Sequence, residues 1–261
     1  WLSDYFTKNG INFTGSSREA LKFDSDKVLA KSHLRKMGIK TADYFTAIPG
    51  QYKYESELPV RFPLFLKPLD AANGNGIDDL SFVTSFEEYE SKISSLYDSF
   101  NQPVLVEEYL DGREFTAAVI NMPGSNLLVS AVEVVPPQST NGLRILGEQA
   151  KRDDSEELKK EEDIEIRDSV CKLAVDAFVH LGVRDFGRID IKVNASGQSY
   201  FMEANLVPGM TAGSSYFPKA CEIEGEISYD KMIGLILGEG LRRVPIKLVD
   251  NITADPLPLA M

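Results

Sequence analysis

Four polar residues stand at matched spacing about one turn: Arg188 and Asp190 before Ser196-Gly197, Glu203 and Asn205 after it. Polarity alternates with period two through both flanks, the mark of a β-hairpin. With Ser196-Gly197 as a two-residue loop, Ala195 pairs with Gln198. Asp190 then faces Glu203 and Arg188 faces Asn205. The other side carries Ile189, Ile191 and Val193 against Ala204, Met202 and Tyr200, and goes to a core. Like charges directly opposed on a sheet repel, so a cation between Asp190 and Glu203, with Asn205 as a third oxygen ligand, accounts for them. Oxygen donors without Cys or His suit Mg²⁺ or Mn²⁺ rather than zinc. The alternative is a solvated ribbon face on which Arg188 and Lys192 neutralise the acids.

Two further groups of residues could handle an anionic ligand. Lys67 ends the apolar run Arg61–Lys67, and Asp70–Asp79 follows with Asn73, Gly74 and Gly76. Backbone N–H groups of such a loop can approach phosphate oxygens, with the lysine as a point charge. The loop is not a P-loop, since no G-x-x-x-x-G-K-[ST] occurs, and an ordinary exposed turn is the other reading. Glu107-Glu108-Tyr109-Leu110 ends a second strand, with Glu114 shortly after it. Such an edge can offer backbone groups to a base and a carboxylate to ribose hydroxyls, or can simply be a charged edge strand. His33 and His180 are lone histidines on helices and read as boundary positions.

These residues need elements to hold them, and the 261 residues, 43% of them hydrophobic, suffice for one large domain or two lobes. A net charge of −12 argues against a nucleic-acid surface. No run has the length of a membrane span, and no signal-peptide pattern opens the chain. Two cysteines, Cys171 and Cys221, form no disulfide framework and read as reduced thiols of a cytoplasmic protein.

Residues 1–23 read as a helix to Gly10, a short apolar run Ile11–Phe13 and a turn, the tail of an αβ unit whose beginning precedes Trp1. Asp24 or Ser25 caps a helix through Met37. Lys27, in its first turn, opposes the helix dipole and needs an anionic partner or full solvation. Ser85 and Glu88 start a helix with Phe86, Tyr89, Ile93, Leu96 and Tyr97 on one side. Val104–Leu110 is a strand, Asp111-Gly112 turns, and Glu114–Ile120 returns as its antiparallel neighbour. Leu127–Val135 is a strand. Pro136–Asp163 reads as a solvated mobile surface, though a loop of this length is often a lid. Ile166–Leu181 is an amphipathic helix closed by Gly182, Ser228 begins a last helix through Leu241, and the tail after Pro245 is irregular. The fold class is α+β.

The order of these motifs resembles the ATP-grasp superfamily and, within it, the D-alanine–D-alanine ligases. The resemblance rests on Phe13-Thr-Gly-Ser16, Asp26-Lys27, Phe65-Leu-Lys67-Pro68, Glu107-Glu108-Tyr109-Leu110, Glu114-Phe-Thr, Gly187-Arg-Ile-Asp190 and Glu203-Ala-Asn205-Leu-Val-Pro-Gly209-Met-Thr211. It implies two α+β lobes clamping ATP: a small lobe over 24–120 with its lead-in helix, and a large metal-bearing lobe over 121–261. Lys27 and Lys67 would contact phosphates, and residues 70–77 would cover them. Glu107 and Leu110, in the Glu107–Leu110 strand end, would receive adenine, and Glu114 the ribose. Asp190, Glu203 and Asn205 would hold two Mg²⁺ ions. Arg188 and the Gly209 backbone would stabilise an oxyanion, and Ser214 would meet the second substrate's carboxylate. The implied reaction joins a carboxylate to an amine through an acylphosphate, with D-alanine or a similar amino acid as substrate, as in cell-wall precursor synthesis. Such proteins are often homodimers.

Three departures stand against that pattern. Glu108 replaces a lysine that is common there, Pro136–Asp163 lacks the family's tyrosine- and lysine-bearing closing loop, and most of the amino-terminal domain does not precede Trp1. A ligase for another amino-acid pair, or an ATP-binding remnant without ligase activity, are the other readings.

Overall fold

A computed structural model describes residues 2–70, 74–122, 124, 126–139 and 142–243. Asn73 and the tail after Pro245 lie outside these residues. Among the described residues there are two antiparallel sheets. The first has the order β1-β4-β2-β3, with β1 at Tyr44–Ala47, β2 at Leu64–Pro68, β3 at Phe82–Val83 and β4 at Val104–Glu108. One helix, Phe86–Phe100, covers it. Ser85 Oγ accepts the Glu88 N–H at 3.3 Å, and the Glu88 carboxylate accepts that of Thr84 at 2.7 Å. Tyr89, Ile93 and Leu96 fall on one stripe of this helix and bury against Leu64, Leu66, Val104 and Val106.

The second sheet has the order β7-β6-β5-β8-β9. Its strands are β5 (Arg113–Met122), β6 (Asn126–Val135), β7 (Glu157–Lys160), β8 (Phe186–Val193) and β9 (Ser199–Asn205). We number the helices α1 (Leu2–Lys8), α2 (Arg18–Ser25), α3 (Lys27–Lys36), α4 (Phe86–Phe100), α5 (Glu148–Asp153), α6 (Ile164–His180), α7 (Tyr216–Ile223) and α8 (Tyr229–Arg242). One face of the five-stranded sheet carries α2, α3 and α6, which bury Ala30, Leu34, Val170 and Ala174 on Ala117, Val119, Ile189 and Ile191. The other carries α7 and α8, with Phe217, Cys221, Met232 and Ile236 on Ala118, Ile120 and Val132. Because β5 is covered on both faces, Phe115–Ile120 is an unbroken apolar run apart from Thr116. No helix among the described residues is long and apolar enough to cross a membrane.

Several expectations change. The strand at Val104 does not pair with that at Glu114. Both edges of β4 are taken, by β1 and β2, so β5 has no edge to join and pairs with β6 and β8. Asp111-Gly112 therefore connects two sheets, and residues 113–120 belong to the second. Residues 18–36 form two helices rather than one starting at Asp24 or Ser25. Asp26 ends α2 and caps α3, accepting the Leu29 N–H at 2.8 Å. These helices pack on β9 of the large sheet, and α3 also reaches the small sheet through Lys31 and Glu107. Ile11–Phe13 forms no strand.

Pro136–Asp163 is not simply a solvated loop. It contains α5 and β7, and Leu146 and Ala150 pack on Val134. Its Glu/Lys run is legible afterwards as an edge strand, where charge on both sides blocks further pairing.

Candidate active site

The hairpin reaches the expected opposition by an unexpected route. Val193 pairs with Ser199, and the Gln198 carbonyl accepts the Asn194 N–H at 3.0 Å. The loop thus has three residues rather than two, with Gly197 at φ +80° in the position that requires it. Asn194 Oδ1 accepts the Ser196 and Gln198 N–H groups and fixes this turn. A bulge between Asp190 and Ile191 then absorbs one residue of β9. Asp190 lies opposite Glu203 and Arg188 opposite Asn205. Phe201, not Met202 or Tyr200, takes the core position against Ile191 and is fully buried.

Around Asp190 the polar groups are fully engaged. Arg188 forms two 3.0 Å bonds to its carboxylate. Thr116 Oγ1 donates to Oδ1 at 2.7 Å and Asn205 Nδ2 to Oδ2 at 2.9 Å. Glu203 Oε2 lies 3.3 Å from Lys27 Nζ, so the lysine takes an anionic partner rather than full solvation. Burial alone would raise the Glu203 carboxyl, but Lys27, Lys67, Lys151 and Arg188 outweigh it and hold the group at about 2. Glu114 moves the other way. Burial and the Asp190 and Glu203 charges push it up, against Lys192, whose Nζ is 3.9 Å away, and Lys151. Glu114, Thr116 and Asp190 share the face that α7 and α8 cover farther along, and there Glu114 and Asp190 line a cleft.

No group of three His, Cys, Asp or Glu side chains poised for a metal occurs among the described residues. Two carboxylates and one amide remain, and their chemistry fits a hard divalent cation. Both acids already face cations, so an ion there would exchange with Arg188 and Lys27 rather than enter an uncompensated site.

Glu107 stands at the far wall of the cleft between two lysines. Lys31 Nζ lies 2.6 Å from Oε1 and Lys67 Nζ 2.6 Å from Oε2. Burial opposes its ionisation, yet the two ammonium groups hold its carboxyl at about 2. Glu108, one residue on, accepts the Asp43 N–H at 2.9 Å, a bond that a lysine could not accept. Tyr109 packs edge-on against Phe82.

A cleft separates the two sheets. Lys27, Lys67, Gly74, Glu114, Asp190 and Glu203 line it together with the strand end Glu107–Leu110. Gly76 does not line it: a Cβ there would lie 2.7 Å from the Phe100 ring, and its N–H donates to Glu148 Oε2 at 3.3 Å. The segment around α5 closes the mouth. Gly147 approaches Ile77 so closely that a Cβ would stand 2.5 Å from its carbonyl oxygen, and the Glu148 N–H donates to that oxygen at 3.0 Å. Lys151 of α5 also lines this cleft.

Arg188, Gly209 and Ser214 line an adjoining open pocket with Lys151, Glu156 and Tyr216. A Cβ at Gly209 would stand 2.7 Å from Ser215 Oγ, so a side chain there would require Ser215 to shift. The Arg188 guanidinium lies over the Tyr216 ring at 5.4 Å, and the Tyr216 hydroxyl donates to Glu156.

Sequence reasoning missed Lys31, Thr116, Lys151, Lys192 as a cleft residue, and Tyr216. Two had a signal. Lys31 is four residues after Lys27 on one helix face, and Thr116 is two after Glu114 on one strand face. Lys151 and Tyr216 had none, because their elements were not foreseen.

Residues 33–238 match the family described as D-ala D-ala ligase C-terminus. A D-alanine–D-alanine ligase of Aquifex aeolicus is 29% identical over 227 residues, which is 87% of this chain and 73% of that one. Among solved structures, a D-alanine–D-alanine ligase from Bacillus anthracis complexed with ATP superposes with a TM-score of 0.73 at 24% identity, covering 92% of this chain and 74% of that one. The VanG D-Ala:D-Ser ligase of Enterococcus faecalis does so at 0.72, also at 24% identity, over 92% and 68%. At that identity the likeness establishes the ATP-grasp fold alone.

Proposed function

This chain belongs to the family of D-alanine–D-alanine ligase carboxy-terminal domains, and on that premise we propose that it is an ATP-dependent ligase joining the carboxylate of one D-amino acid to the amine of another. The observation that carries the reading is Asp190 opposed to Glu203, beside Arg188, in the same cleft as Lys27, Lys67 and Glu114. Asp190, Glu203 and Asn205 would hold Mg²⁺, which when bound supplies charge neutralisation to the phosphates and Lewis acidity at the γ-phosphorus.

The protein's own residues do the rest. Glu107, Glu108, Tyr109 and Leu110 receive the adenine end, where β4 stops, and Glu114 takes ribose hydroxyls. Lys27 and Lys67 place fixed positive charge along the phosphates before the reaction, which costs no reorganisation during it. The Gly74 turn and the α5 segment cover the phosphates and exclude water, which would otherwise hydrolyse an acylphosphate. Arg188 faces the adjoining pocket, where an attacking amine generates a tetrahedral oxyanion. With the Gly209 backbone it offers donors there, and Ser214 meets the second substrate's carboxylate.

A second reading keeps the reaction and changes the acceptor. The adjoining pocket is lined by Glu148, Asp154 and Glu156 together with Lys151, Arg152 and Arg188, a polar lining that suits an acceptor with a polar side chain as well as D-alanine. ADP release from MgATP, measured over a panel of D- and L-amino acids, tests both. D-alanine-dependent release supports the first reading. Release with another pair and none with D-alanine supports the second, and amino-acid-independent binding without release contradicts both.

A further inference from the structure

Lys31 was assigned no part by its sequence context, yet it is 1% exposed and lines the cleft. Enclosing an ammonium this completely is costly unless it is paired and hydrogen-bonded. Its Nζ meets three elements: Glu107 Oε1 on β4 at 2.6 Å, Thr41 Oγ1 at 2.8 Å, and the Phe201 carbonyl on β9 at 3.4 Å. Thr41 bridges to Phe201, and the Phe201 N–H donates to the Lys40 carbonyl at 2.9 Å. Lys31 thus ties the small sheet to the bulge that precedes Glu203.

The charge arithmetic gives this tie a consequence. Glu107 has one negative charge and two lysines, one on each oxygen. With Lys31 in place the cluster carries one net positive charge. Without it, Glu107 and Lys67 form a neutral pair, and Lys67 is spent on its own wall.

We propose that Lys31 is a positioning residue for the nucleotide: by holding one oxygen of Glu107, it leaves the Lys31–Glu107–Lys67 cluster with a net positive charge for the phosphates. This rests on the reading of the cleft as an ATP site. The strong lowering of the Glu107 carboxyl keeps it ionised at neutral pH, and the Glu107 and Glu203 carboxylates, against burial, raise Lys67. Burial, with Lys67 nearby, pulls Lys31 down against the Glu107 carboxylate, and the 2.6 Å approach of Lys31 Nζ to Glu107 Oε1 is the geometry of an ion pair.

A structural pin would weaken all ligands alike, whereas a charge-holding one acts on the phosphates. The test is calorimetric titration of the full chain with ATP and with adenosine. The informative quantity is the ratio of the adenosine Kd to the ATP Kd in wild type, K31M and K31M/E107Q. K31M lowers this ratio about tenfold, as loss of one charge near the phosphates requires. K31M/E107Q, which removes one charge of each sign, restores it to near the wild-type value. If K31M does not fold, the comparison is E107Q against K31M/E107Q, where the double variant again has the ratio lower by about tenfold. An unchanged ratio in the folded pair overturns the inference alone. Wild-type protein that binds no ATP overturns the nucleotide reading and the inference together.

Discussion

Gly147 offers the cleanest perturbation of the closing segment. Its backbone, φ −90° and ψ −178°, suits any residue, so Gly147→Ala introduces no backbone strain. The obstacle lies across the cleft mouth, where the new Cβ would stand 2.5 Å from the Ile77 carbonyl oxygen. An ordinary contact needs about 3.4 Å or more, so the segment must retreat by about 0.9 Å. That stretches the 3.0 Å bond from the Glu148 N–H to the Ile77 oxygen beyond useful range and strains the 3.3 Å bond from the Gly76 N–H to Glu148. At about 1 kcal/mol each, the two bonds shift the closed arrangement by about 2 kcal/mol, or roughly thirtyfold in population. Global stability should hardly move, because this segment has only the small cluster of Leu146, Ala150 and Val134 beneath it. The assay is ADP release against dipeptide formed, with the unfolding midpoint as control. G147A should lower kcat at least tenfold and raise the ADP released per dipeptide, since water reaches the acylphosphate. Unchanged kcat and unchanged coupling would refute closure by this segment.

Two further outcomes follow from the site. Tyr216→Phe keeps the ring under Arg188 and loses the bond to Glu156, whereas Tyr216→Leu loses both; kcat should fall more in the leucine variant, by about tenfold relative to the phenylalanine one, with the ATP KM little changed. Glu107 is held at about 2 in the folded protein, below an unfolded carboxyl, so the unfolded chain binds more protons between about pH 4.3 and 2, and stability there rises with pH. Urea unfolding from pH 5 to pH 2.5 should therefore show a steeper loss in wild type than in Glu107→Gln; parallel curves would contradict the pairing of Glu107 with Lys31 and Lys67.

The parts of this molecule legible in the sequence are those where pattern and chemistry coincide. Asp190 opposite Glu203 was legible because alternation fixes which residues share a face. The two-residue loop was wrong, and the bulge before Glu203 compensated for it. Neither error shows in polarity, because Tyr200, Phe201 and Met202 are all apolar enough for a core position. Glu107 was legible as a strand-end acid, but its two lysine partners come from α3 and β2, which only the folded chain brings together. The hairpin expected between β4 and β5 failed for a topological reason, since local signals for turn and strands cannot tell that β1 and β2 already occupy both edges of β4. The strand β7 was hidden by its charge. Its Glu/Lys composition is that of a solvated run, and only its place at the sheet edge makes it a strand.

The account stands most directly on Glu203, which can be changed with less damage than Asp190, whose carboxylate is engaged by Arg188, Thr116 and Asn205. The decisive measurement is the Mg²⁺ dependence of ADP release in Glu203→Gln, at saturating ATP and amino acid, on protein shown to be folded by its unfolding midpoint. A lost carboxylate ligand predicts an apparent Mg²⁺ requirement raised at least tenfold, with turnover down by about a hundredfold. Wild-type turnover and an unshifted Mg²⁺ titration would contradict the central claim that the opposed acids of this hairpin hold the metal.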